Sequence, residues 1–118
     1  MSERTPLLDP ELIDEIRRVE RATGRNDVFS GFVRKLEGFL AGFAADFAAC
    51  VARGDDAAAV RAAHTLKGTC HQLGAPALGE LFADIERSAK AGDYVEAKRK
   101  FDGAADLIAQ SLEALKRA

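Results

Sequence analysis

His64 stands in the run Ala63-His64-Thr65-Leu66-Lys67-Gly68 and is one of only two histidines in the chain. Histidine, with an unperturbed pKa of ~6.5, keeps a neutral, nucleophilic ring nitrogen available near neutral pH. Lys67, three residues on, puts a cation where a phosphoryl or other anionic group on His64 would sit. Indexed at about 100° per residue, Ala59, Ala62, Ala63, Leu66, Cys70 and Leu73 form one apolar stripe that is expected to pack inward. His64 falls nearly opposite that stripe, with Lys67, Gly68 and His71 on its side within one or two turns. A glycine in a helix interior costs about 1 kcal/mol relative to alanine. At Gly68 it removes the side chain that would crowd the imidazole. The expectation is an exposed nucleophile with a nearby charge stabiliser.

His71 lies seven residues beyond His64, about 10.5 Å along a helix axis. That spacing does not chelate one ion as an i, i+4 pair can. His71 reads instead as a rim contact for a partner or a plain surface residue, and no metal site is expected. Ala57, Val60, Arg61, Lys67, Gly68 and His71 border His64 by helical indexing and form the expected recognition surface. Small or apolar positions around an exposed nucleophile suit docking against an apolar helix. Arg61 and Lys67 would complement an acidic pocket, raising the encounter rate more than the affinity. There is no nucleotide-binding G-x-x-x-x-G-K-[ST] run, no Glu-x-x-His ligand set and no Ser/His/Asp or Cys/His arrangement.

The elements that must hold His64 read as helices throughout, without sustained period-2 alternation. Asp9-Pro10 is an N-cap followed by proline at the first helical position, and Gly24 stops that helix. Leu12, Ile13, Ile16 and Val19 are its apolar residues. Asn26 or Asp27 caps a long second helix. Its apolar set includes Phe29, Phe32, Val33, Leu36, Phe39, Leu40, Phe43, Phe47 and Cys50, read as core packing. Gly54-Asp55-Asp56 ends it and caps the His64 helix, which Gly74, Ala75 and Pro76 break. A fourth helix carries Leu78, Leu81, Phe82, Ile85 and Ala89. Gly92-Asp93 repeats the stop-and-cap device, and a fifth helix carries Tyr94, Ala97, Phe101, Ile108, Leu112 and Leu115. The expected spans are 10–23, 27–53, 56–73, 76–91 and 94–116. Loops this short set neighbouring helices antiparallel. The expected fold is therefore all-α, an antiparallel up-down four-helix bundle with an additional N-terminal helix, forming one domain over 1–118. The segment GDYVEAKRKFDGAADL also looks like one helix of a tetratricopeptide repeat, but such repeats need about three stacked copies and no other segment fits.

The segment from Ala63 to Ala75, AHTLKGTCHQLGA, resembles the histidine-containing phosphotransfer (HPt) domain family. His64, Leu66, Lys67, Gly68, Leu73 and Gly74 carry the match, and Leu81, Ile85 and Glu86 fit the family's next core helix. Cys70 and His71 stand at variable positions that are often small. The resemblance implies that His64 carries a phosphoryl group in a multistep phosphorelay. It would receive it, through Nε2, from the aspartyl phosphate of a receiver domain and pass it to another receiver aspartate. The partners implied are receiver domains of a hybrid histidine kinase or of response regulators. Magnesium would come with the receiver, and this chain would bring no cofactor. Such a protein is a phosphocarrier, not a kinase. Lys67 would stabilise the phosphoryl group and Gly68 would give steric access. Glu86 would accept a hydrogen bond from the other imidazole nitrogen and fix the tautomer, a polar flank of the fourth helix being the plainer alternative. Gln72 reads equally as a helix-end hydrogen bonder or a residue near the phosphate. The competing function is an HPt-like module that regulates a receiver or kinase by docking alone.

Composition agrees with this frame. The 118 residues are 47% hydrophobic and 31% charged, which suits one compact domain. A net charge of −2 gives no global basic field for nucleic acid. Cys50 and Cys70 fall on apolar stripes and read as buried free thiols of a reducing compartment, with a disulfide as the alternative. The stretch MSERTPLLDPELIDEI has no apolar run of the signal-peptide kind. The most apolar segment, Phe39 to Ala52, is too short to span a bilayer and contains Asp46. The expectation is a cytoplasmic monomer that inserts into no membrane.

Overall fold

The computed structural model describes residues 5–118, and every regular element among them is an α-helix. Of the N-terminal stretch read for a leader, Met1–Arg4 lie outside the described residues. The helices are α1 (Pro10–Thr23), α2 (Val28–Ala52), α3 (Asp56–Leu73), α4 (Pro76–Lys90), α5 (Tyr94–Asp102) and α6 (Ala105–Arg117). No described helix is long and apolar enough to cross a membrane.

Local chemistry sets most of these limits. The carboxylates of Asp9, Asp55 and Asp93 accept from the backbone N–H groups of Leu12, Ala58 and Glu96 at 3.3, 3.1 and 3.1 Å, satisfying donors that a helix start leaves unpaired. Gly74 closes α3 with φ of 89°, a left-handed conformation that costs other residues energy. A Cβ there would come within 2.9 Å of Ile13 Cγ1. The resulting turn passes directly into Pro76, so α4 folds back along α3. The N-terminal segment fastens onto this turn: Asp9 N–H donates to Gly74 O at 2.9 Å and Ala77 N–H to Pro6 O at 3.1 Å.

The start of α2 differs from the sequence expectation. Asp27 makes no capping bond with its side chain; it pairs with Arg25 instead. The buried Glu20 of α1 takes over, its Oε2 accepting from the N–H groups of Val28 and Phe29 at 2.9 Å each. The Phe29 N–H, then Arg17 at 2.9 Å, hold the Glu20 carboxyl below its ordinary pKa. A carboxylate at a helix N-terminus also meets the positive end of the helix dipole.

The single helix expected over 94–116 is two helices, broken at Gly103–Ala104. Glycine lowers helix propensity there, and the break lets each half find its own packing partner. α5 lies against α4, with Ala97 buried, and α6 returns to α2 and α4 with Ser111 and Leu115 buried. α3 is the central element, packed between α2 and α4.

The core runs through Leu36, Leu66, Leu73, Leu78, Phe82 and Ile85, all nearly or completely buried. Phe43 ties three helices together, its ring centroid 5.3 Å from Phe82 and 4.9 Å from Phe101. Cys50 and Cys70 are buried free thiols, and burial pushes the Cys70 thiol up to about 12. Two phenylalanines assigned to the core by sequence do not reach it: Phe32 is 47% and Phe39 41% exposed. The buried stripe of α2 is Phe29, Val33, Leu36, Leu40, Phe43, Phe47 and Cys50. Phe32 and Phe39 lie about 50–70° to one side of the mean direction of that stripe, at its edge. Val19 of α1 is likewise exposed.

Candidate functional site

His64 sits at mid-length on α3, on the face turned from the core. Its neighbours Ala63 and Leu66 are buried, while its own side chain is 63% exposed. The short α3–α4 connection places Glu86 of α4 beside it, although the two are twenty-two residues apart in sequence. His64 Nδ1 lies 2.9 Å from Glu86 Oε2. Glu86 is almost wholly buried, with its side chain 5% exposed.

A buried carboxylate needs counter-charge or it neutralises. Glu86 has it: Lys67 Nζ lies 2.7 Å from Oε1, and Lys90 Nζ lies 3.3 Å from Oε2. Burial alone would raise the Glu86 pKa. The hydrogen bonds from Lys67, His64 and Lys90 outweigh it and bring the value down to about 2. The carboxylate is therefore ionised at neutral pH and can only accept hydrogen bonds. Nδ1 must then carry the proton, which in the neutral imidazole leaves the Nε2 lone pair unprotonated.

The structure brings His64, Lys67 and Glu86 together as one group. Lys67 is half-buried and bound to Glu86 in this state, so it reaches the histidine through a shared carboxylate. Gly68 is one turn beyond His64, and a Cβ there would meet nothing within 4 Å. Its lack of a side chain is thus not required by internal packing. Ala57, Val60 and Arg61 lie N-terminal to His64 and, with Lys90 and Tyr94, line an open concavity of ≈ 550 Å³ between α3 and α4. His71 is exposed, but its ring rests over Gly79 of α4, where a Cβ would come within 2.4 Å of Nε2. It is thus a helix-packing residue on the rim. Among the described residues no group of three or more His, Cys, Asp and Glu side chains is placed to hold a metal ion.

Sequence reasoning missed Lys90. Its position, one turn after Glu86 on α4, is the spacing at which a lysine meets a glutamate on a helix. That signal was present in the sequence, but it had meaning only once Glu86 was placed beside His64.

The site is thus an exposed imidazole on a helix, hydrogen-bonded to a buried carboxylate that two ammonium groups also hold, an arrangement chemically able to attack an anionic electrophile. The family model described as the Hpt domain matches residues 27–118. The chain belongs to this family of phosphotransfer modules of phosphorelays. No match was found among curated proteins or among solved structures.

Proposed function

We propose that this protein is a phosphocarrier of a multistep phosphorelay, with His64 as the residue that accepts and donates the phosphoryl group. The observation that carries this reading is the pairing of an exposed His64 with the ionised Glu86 through Nδ1. It leaves Nε2 as the nucleophilic atom on the solvent side.

In the forward step the Nε2 lone pair attacks phosphorus of a receiver aspartyl phosphate. The P–N bond forms as the P–O bond to the aspartate breaks, and the carboxylate leaves with the electron pair. The imidazole ring gains positive charge while Nδ1 keeps its proton, and the Glu86 carboxylate faces that charge. In the reverse step a carboxylate oxygen of the accepting receiver aspartate attacks phosphorus, and as that P–O bond forms the P–N bond breaks and Nε2 leaves with the electron pair as a neutral ring nitrogen. No proton has to move in either direction, so little is asked of the protein beyond position and charge. Lys67 and Lys90 lie near enough through Glu86 to turn toward the incoming phosphoryl oxygens. The magnesium ion that this chemistry implies would be held by the receiver, and the exchange takes place in the cytoplasm between transiently bound proteins.

Transfer of labelled phosphate from a phosphorylated receiver to wild type and to His64→Gln tests the reading. Label on wild type alone supports it. Binding of a receiver with no label on either protein favours the docking-only module.

A further inference from the structure

We infer that Arg61 is the residue that binds the phosphoryl oxygens at His64, a proposal that rests on the phosphocarrier reading above. The family resemblance gives that task to Lys67, and helical indexing leaves Arg61 to the encounter with an acidic partner. The charges around Glu86 reverse the assignment. Lys67 and Lys90 are both committed, paired with Glu86 at 2.7 and 3.3 Å. A buried carboxylate that loses its counter-charge destabilises the protein. Either lysine can therefore turn to a phosphoryl group only by leaving Glu86 short of that charge. The nitrogen that takes the phosphoryl group also points elsewhere. His64 Nδ1 faces Glu86 at 2.9 Å, so Nε2, across the ring, is directed away from Glu86 and from the ammonium groups held on it.

Arg61 meets the opposite conditions. It is exposed and pairs with no acidic side chain among the described residues. It stands three residues before His64, as a neighbour on the surface of α3. A helical side chain leans toward the N-terminus and covers the turn before its own Cα. The His64 ring therefore extends over the turn that carries Val60 and Arg61. Those two residues line the open concavity beside His64, and Lys67 does not. Asp56, an acidic residue of the same concavity, is held by the Tyr94 hydroxyl and leaves Arg61 free. A guanidinium presents a planar fork of donors that matches two phosphoryl oxygens, and it stays charged throughout the pH range of transfer. Arg61 can thus follow the phosphoryl group from the receiver aspartate to Nε2 with no loss of charge at Glu86.

The test compares wild type, Arg61→Gln, Arg61→Lys and Lys67→Gln with two phosphoryl donors. Phosphoramidate, a small donor, reads contact with the phosphoryl group alone. Nε2 attacks its phosphorus, the bond from phosphorus to the donor nitrogen breaks, and ammonia leaves with the electron pair. A phosphorylated receiver domain from the same genome adds the docking of a partner. Arg61→Gln should slow labelling by about tenfold with either donor. Arg61→Lys, which keeps the charge without the fork, should retain part of the rate. Lys67→Gln should slow phosphoramidate labelling less than Arg61→Gln does. A phosphoramidate rate of Arg61→Gln equal to that of wild type overturns the proposal. So does a loss confined to the receiver, because Arg61 then serves the encounter with the partner. A larger phosphoramidate loss in Lys67→Gln than in Arg61→Gln returns the contact to Lys67 and overturns it too. Arg61 is exposed and unpaired, so its variants should melt with wild type; if Arg61→Gln does not, Arg61→Ala is read by the same criteria. If no receiver transfers, the phosphoramidate comparison decides alone. If phosphoramidate leaves no label on folded wild type, the phosphocarrier reading fails first, and the assignment of Arg61 with it.

Discussion

Replacing Glu86 by glutamine removes one charge and keeps the side chain's shape. Two consequences can be worked out from the structure. The first is stability. Glu86 titrates at about 2 in the folded protein against an ordinary 4.5, a difference of about 3 kcal/mol in favour of the folded state at neutral pH. Solvent reaching Lys67 and Lys90, 30% and 61% exposed, screens part of this and brings it to about 2 kcal/mol. For a domain of this size that corresponds to a melting temperature lower by about 8 °C at pH 7. Because the folded pKa is depressed, the contribution is complete above pH 4.5 and is lost as pH falls toward 2. The gap between wild type and Glu86→Gln should therefore close across that window. The second consequence is rate. A hydrogen bond to a charged group contributes roughly 1 kcal/mol more than one between neutral groups. Losing that difference as the imidazole gains positive charge slows phosphorylation by about fivefold. Phosphoramidate labelling followed by intact mass, beside thermal melts from pH 7 to pH 2, measures both. A variant that labels at the wild-type rate, with a melting gap independent of pH, would refute the reasoning about Glu86.

Two further substitutions probe the scaffold around His64. Gly68→Ala should fold and gain up to about 1 kcal/mol of stability, because its Cβ meets nothing within 4 Å and alanine favours the helix. Gly68→Arg should keep phosphoramidate labelling but lose receiver transfer by at least about tenfold, and normal receiver transfer would remove Gly68 from the docking surface. Gly74→Ala should destabilise the protein by about 1–3 kcal/mol in a denaturant melt, since it combines a φ of 89° with a contact of 2.9 Å to Ile13.

The sequence made the helical scaffold legible where local chemistry decides it. Asp9, Asp55 and Asp93 are short side chains that cap the helix beginning beside them, and their signal is read within a few residues. The cap of α2 escaped because Glu20 acts across eight residues and a turn, where the adjacent Asn26 and Asp27 were the local candidates. The break at Gly103–Ala104 escaped because the apolar spacing from Tyr94 to Leu115 continues through it. Only tertiary packing distinguishes one long helix from two that diverge toward α4 and α2. Phe32 and Phe39 looked like core because they are apolar and lie at the edge of the buried stripe, about 50–70° from its mean direction. At the site, the face of His64 and its relation to Gly68 followed from helical angle alone. The contact with Glu86 is made across a turn between helices and was accessible only by resemblance. Lys90 joined the group through that contact and not through any property of its own.

The most direct measurement is phosphoryl transfer itself. A labelled receiver domain is mixed with wild type and with His64→Gln, and the product is treated with acid and with alkali. Label is expected on the wild type only, labile to acid and stable to alkali, as a phosphohistidine is. Label of the same kind on His64→Gln would contradict it, because the phosphoryl group would then reside on a residue other than the one that Glu86 orients.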